Sequence, residues 1–198
     1  MPKGQEKVVI FLTEGNKSPI LWEHQFKLGG KWTNWCTCCK PLGVQCALCK
    51  WADTHNGSFN RYKGAFFTII DTTEFEAKDG TKKKNLKKLL VAKKDTVDIL
   101  KRKWQTRVEA GEGMRGAMFK IYRPNSDKSC SVGEDFEFVK MVDMAAISDS
   151  AEFNYAEMLK PDPEKAQTLF EALHSEHGTG GKPAPAAAPE GTEGAVKY

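Results

Sequence analysis

Five of the six cysteines fall between residues 36 and 49, in the stretch CTCCKPLGVQCALC. No other feature restricts folding as much, because five thiols this close either cross-link or share an ion. No run of apolar residues approaches the roughly 20 needed to cross a membrane. The opening MPKGQEKVVIFLTEG has too short an apolar stretch for a signal peptide. The expected setting is therefore a reducing cytoplasm, where such a cluster reads as a metal site and not as a disulfide framework.

The spacing supports a four-ligand shell. His24 is followed by eleven residues and Cys36, nine more and Cys46, two more and Cys49. In the Cys46-x-x-Cys49 pair, one tight turn presents both sulfurs to a single tetrahedral ion. Thiolate and imidazole suit zinc, and four protein ligands leave no position for water, so the expected role of Zn2+ is structural. Cys36, Cys38 and Cys39 compete for one position, and an all-cysteine shell using two of them is the other arrangement. Cys130, in a Ser-rich turn, reads as a bystander.

Around this segment the chain alternates like a β protein. Residues 8–13 and 20–27 read as strands joined by a turn over 14–19. Residues 28–58 break the periodicity and read as a zinc-binding insert. Strand patterns return at 61–77, 86–92, 117–123 and 134–142, with Asp79-Gly80 heading a hairpin turn. Val97, Leu100, Trp104 and Val108 recur at helical spacing behind a cap at Asp95 or Thr96. The fold class expected is mainly β (α+β), a small closed barrel over residues 1–142 with one or two helices. Residues 143–177 read as an acidic arm of two short amphipathic helices, and 178–198, rich in Gly, Pro and Ala, as a disordered tail.

Charge is distributed unevenly. Residues 1–142 carry 26 Lys and Arg against 16 Asp and Glu, whereas residues 143–198 carry 4 against 10. Residues 82–103 alone hold ten basic side chains against two acids. A basic body suits a polyanion, and single-strand binding needs cations for phosphates and aromatic faces for bases. The candidate DNA contacts are Trp35, Trp51, Arg61, Tyr62, Lys82, Lys83, Lys84, Lys87, Lys88, Lys120, Tyr122 and Arg123. Phe59, Phe66 and Trp104 are further aromatics among the basic residues, with a core role as the plainer reading.

Enzyme signatures do not appear. The sequence has no Gly-rich phosphate loop ending in Lys-Ser or Lys-Thr, no His-Glu-x-x-His and no Gly-x-Ser-x-Gly. A zinc deaminase needs His-x-Glu, but His24 is followed by Gln25 and Phe26. No enzymatic activity is expected.

The His24, Cys36, Cys46, Cys49 spacing, with KKNLKKLLVAKK (Lys83–Lys94) and SVGEDFEFVK (Ser131–Lys140), resembles the zinc-containing single-stranded-DNA-binding (helix-destabilising) proteins of T-even-type phages. The resemblance covers roughly residues 7–142. It implies a zinc subdomain pinned onto an OB-fold and sequence-tolerant binding of single-stranded DNA in phage replication, recombination and repair. It also implies a place in the host cell cytoplasm. Replication or recombination proteins are the partners expected at the acidic arm. Two features differ from that family: MPKGQEK offers only Lys3 and Lys7, and the chain ends in AVKY instead of an acidic run. The alternative class is a zinc-ribbon adaptor that contacts another protein and no nucleic acid.

Overall fold

The structure is a computed structural model that describes residues 1, 3–55, 61–77, 79–126 and 132–177, with nothing described for the side chains of 32–35 and 94. The expected disordered tail at 178–198, Phe59 and Cys130 lie outside the described residues. In chain order the elements are β1 (Glu6–Phe11), β2 (Ile20–Leu28), β3 (Lys31–Thr37), α1 (Ala47–Thr54), β4 (Tyr62–Asp71), β5 (Phe75–Glu76), β6 (Lys82–Lys83), β7 (Leu86–Ala92), α2 (Lys94–Glu109), β8 (Ala117–Tyr122), β9 (Asp135–Met141), α3 (Tyr155–Met158) and α4 (Pro163–His177). The architecture is mostly β with a few helices, and no described helix is long and apolar enough to cross a membrane.

Two compact units divide the chain. One contains Met1–Pro19 and Ala65–Phe153; the other contains Ile20–Gly64 and the described residues from Asn154 onward. The acidic 143–177 segment is therefore divided between the two units.

In the first unit the strands run antiparallel in the order β7-β4-β1-β8-β9, and the described pairings do not close them into a barrel. Period-2 alternation decides which side each residue faces. Val9 and Phe11 enter one core with Phe67, Ile69, Leu90, Phe119 and Phe136, while Ile10 joins Leu12, Ile70 and Met118 in a second. Phe11 meets Phe67 and Phe119 edge-on, with ring centroids 5.7 and 5.6 Å apart. Val142, Met144 and Ile147 pack on the second core, so the first residues of the expected arm are part of this unit's packing.

Helix α2 lays Val97, Leu100 and Trp104 against the first core. It begins earlier than Asp95 or Thr96 suggests: Lys93 occupies the cap position without a side-chain bond, and Thr96 is buried. Val108 is exposed in the last turn. The Asp79-Gly80 turn forms as expected. Asp79 accepts from the Thr81 N–H at 3.0 Å, Gly80 has φ of 80°, and β5 pairs with β6 around it.

The second unit is more ordered than its broken periodicity suggests. β2 and β3 form a hairpin whose register, Leu28 opposite Lys31, leaves Gly29 and Gly30 as the turn. Both have positive φ (59° and 72°), the requirement of a type I′ turn matched to strand twist. The cysteines then line a core of Phe26, Leu48 and Trp51, onto which α4 buries Ala166 and Leu173. Glu176 of α4 also accepts from the Gly29 N–H at 2.8 Å.

Candidate metal centre

His24 comes from β2, and the three thiols that meet it come from beyond the end of β3. Cys38 lies one residue past the end of β3, Cys46 at the N-cap of α1, and Cys49 in that helix's first turn. Pro41 and Gly43 make the turn between them: Lys40–Leu42 is a single 3-10 turn, closed by Gly43 at φ of 75°. The four side chains are buried, and their ligand atoms all lie within 4.8 Å of one another.

The distances suit one ion. Cys38 Sγ is 3.6 Å from Cys49 Sγ, and His24 Nε2 is 3.3 Å from Cys46 Sγ and 3.7 Å from Cys49 Sγ. A tetrahedron with metal–sulfur bonds of about 2.3 Å has edges of roughly 3.8 Å. The Nδ1 of His24 is buried with no hydrogen-bond partner among the described residues, so the imidazole is engaged only through Nε2, toward the thiols. Burial pushes Cys49 up to about 12, whereas Cys46 is drawn down to about 6 against its own burial by His24 and the N–H groups of Cys39 and Cys49. A cation among them supplies the positive charge that further thiolates in a dry site need. His24, Cys38, Cys46 and Cys49 thus form a buried cluster that can hold a structural metal ion.

This set corrects one residue of the expected shell. Cys36 is buried but sits within the β3 ladder, directly opposite His24. Cys38, one residue past the end of β3 and held by its N–H to the Trp22 carbonyl, is the cysteine of this stretch whose sulfur lies within 4.8 Å of the other three ligand atoms. Cys39 stays buried nearby, directed at the Thr37 carbonyl at 3.9 Å.

The structure sorts the proposed DNA contacts. Trp51, 1% exposed, stacks on His55 at 3.6 Å and has no face for a base, because α1 points it into the core under α4. Lys88 and Arg123 are buried as well; Lys88 bonds Asp71 at 3.0 Å, and Arg123 donates to the Met1 carbonyl. Strand alternation explains Lys88, which points inward from β7 toward a carboxylate. Those three are withdrawn from a contact role. Lys87 pairs with Asp149 at 2.7 Å, Lys82 with Glu74 at 3.2 Å and Lys120 with Glu6 at 3.0 Å. Tyr62 is partly buried, and its hydroxyl is held well above the usual range by desolvation. Tyr122 is exposed on β8, Lys83 and Lys84 at the β6 hairpin. The side chain of Trp35 lies outside the described ones.

Arg61 has a double contact. Its Nη1 donates to Cys38 Sγ at 3.4 Å, and its guanidinium lies 4.5 Å from the ring centroid of Trp22. Trp22 is not singled out by the sequence; strand alternation in ILWEHQ is the only signal that separates its face from its neighbours'. No family model matches the chain, and no curated protein matches it.

Proposed function

We propose that the chain is a non-catalytic single-stranded-DNA-binding protein whose His24, Cys38, Cys46, Cys49 cluster takes zinc as a structural ion. Three thiolates and one imidazole are zinc's donor set, and full burial leaves no room for a reacting water. On this reading the antiparallel sheet of the first unit is the OB-fold-like element, and the resemblance to phage helix-destabilising proteins gives the setting: DNA replication, recombination and repair in a host cytoplasm.

The observation that carries the reading is the set of exposed cations on the β6 hairpin and on α2. Of the acids of the body, Asp71 and Glu23 are buried and Glu14 accepts backbone N–H bonds from Gly15, Met114 and Arg115, while others, Glu76, Asp95 and Asp98 among them, stay exposed. Exposed cations remain at Lys83 and Lys84 on the hairpin and at Lys101 and Arg102 on α2. Such cations track a phosphate backbone without reading sequence. Titrating oligo(dT) against a duplex of equal length at several salt concentrations tests it. Preferential oligo(dT) binding is expected, with log affinity falling linearly in log salt by about 0.7 per phosphate contacted. Absence of salt-dependent binding to either overturns it.

A protein adaptor is the second reading. Leu42 (53% exposed) and Val44 (43%) favour it, because they flank Gly43 at an apolar tip of the cysteine loop.

A further inference from the structure

We propose that Trp22 is a base-stacking residue of this protein and that Cys38, a member of the metal cluster, positions it through Arg61. The proposal deepens the single-strand reading above and rests on it.

Trp22 is 37% exposed on β2, and Ile20, two residues earlier and so on the same side of the strand, is also exposed. Part of the indole surface stays in solvent, unlike that of Trp51, which the core encloses. What distinguishes Trp22 from an incidental surface aromatic is how it is held. The Cys38 N–H donates to the Trp22 carbonyl at 2.8 Å. The Cys38 sulfur accepts from Arg61 at 3.4 Å, and Arg61 lies over the Trp22 ring. One cysteine therefore fixes both the backbone of Trp22 and the cation on its face, closing a three-residue loop inside a single compact unit.

The chemistry fits one class of ligand. A metal-bound thiolate accepts the bond from Arg61 and keeps the guanidinium from swinging into solvent. Arg61 has five N–H donors, so those not directed at sulfur remain for a phosphate oxygen. Residues 20–64 carry six Lys or Arg against Glu23 and Asp53, and Glu23 is buried. A rigid aromatic plane with a cation beside it suits an unpaired nucleobase with its flanking phosphate. Stacking of this kind tolerates any base. Because Cys38 belongs to the metal cluster, metal occupancy and the geometry of this platform are coupled.

The experiment compares zinc-loaded full-length chains on oligo(dT) and on an abasic strand of equal length, which keeps the phosphates and lacks the bases. The wild type should prefer oligo(dT). Trp22→Ala should lose about 5- to 100-fold on oligo(dT) only, with abasic affinity, salt slope and zinc content unchanged. Trp22→Phe, which keeps an aromatic face, should retain most of the preference. Arg61→Gln should keep its zinc, shift the Trp22 emission (the difference between each chain and its Trp22→Phe counterpart) to the red, and reduce the oligo(dT) preference. Should Trp22→Ala discriminate between the two strands as the wild type does, the stacking role is overturned while single-strand binding stands. Unchanged Trp22 emission and preference in Arg61→Gln overturn the positioning role alone. A wild type that binds neither strand overturns the single-strand reading, and this proposal with it.

Discussion

Lys88 Nζ lies 3.0 Å from Asp71 Oδ2, with both side chains buried, and Lys7 reaches the same oxygen at 2.7 Å. Burial alone raises a carboxyl, but here the bonds from Lys7, Thr73 and Lys88 win and hold Asp71 at about 2, below its ordinary 3.8. A depressed carboxylate contributes stability that is fully present above its unfolded pKa and lost as pH falls through the folded one. Asp71 should therefore contribute about 2 kcal/mol above pH 4, fading toward pH 2. At neutral pH, Asp71→Asn should cost about 3 kcal/mol, because it strands a buried ammonium. Urea midpoints of the two proteins from pH 2 to 7 check this: the gap should narrow as the acid limit is approached.

The metal cluster makes a prediction that separates two neighbouring cysteines. Purified chain should carry about one zinc, Cys38→Ser should lose most of it, and Cys36→Ser should keep it. Elemental analysis of reduced protein reads the outcome directly. Equal loss in both variants would restore Cys36 to the shell.

Those two cysteines also show how far the sequence reaches. The His/Cys cluster was legible because two residues between Cys46 and Cys49 is a local constraint, met by one helical turn. The choice among Cys36, Cys38 and Cys39 was not, because it depends on where β3 ends. The β2–β3 hairpin carried its signal in Gly29-Gly30, but the cysteines beyond it hide the alternation. Likewise, the strands at 86–92 and 117–122 followed from pattern alone. The burial of Lys88 and Trp51 did not, since each is decided by a partner far away in sequence, Asp71 and α4 respectively.

Gly15 is required by packing and not by backbone freedom. A Cβ built there would lie 2.5 Å from Trp104 Cγ, inside the ring that α2 packs on the core. Gly15→Ala should destabilise the chain by about 1–3 kcal/mol. Pairing it with a smaller residue at Trp104 should give less than additive loss, as a double-mutant cycle in urea would show.

Phosphate contacts should sort by exposure. Neutralising Lys83 and Lys84 together should reduce the magnitude of the salt slope on oligo(dT) by up to about 1.4, with little change in base preference. Lys88→Gln should act differently: it should lower the urea midpoint, since its ammonium is committed to Asp71. An unchanged slope in the Lys83/Lys84 variant would make the hairpin a solvated face.

The acidic segment behaves as a bound element in the first unit. Asp149 holds Lys87 at 2.7 Å, the Phe153 ring lies 5.2 Å from the same ammonium, and the Phe153 N–H donates to Thr68 at 3.0 Å. Arg115 adds a bond to the Ser150 carbonyl at 2.8 Å. Lys87 is mostly covered in this arrangement while Asp149 is mostly exposed, so the pair itself contributes little to folding. Deleting residues 143–198 would strip Val142's neighbours Met144 and Ile147 from the second core and α4 from the cysteine core, and so would confuse charge with folding. Asp149→Asn avoids that. It releases Lys87 without removing packed side chains, so the urea midpoint should stay within about 0.5 kcal/mol of wild type. If Lys87 faces the strand, oligo(dT) affinity at low salt should rise a few-fold, and the salt slope should steepen by about 0.7, one further phosphate. Weaker binding by Asp149→Asn would show instead that Asp149 holds Lys87 in place for the phosphate, and that the segment belongs to the binding surface.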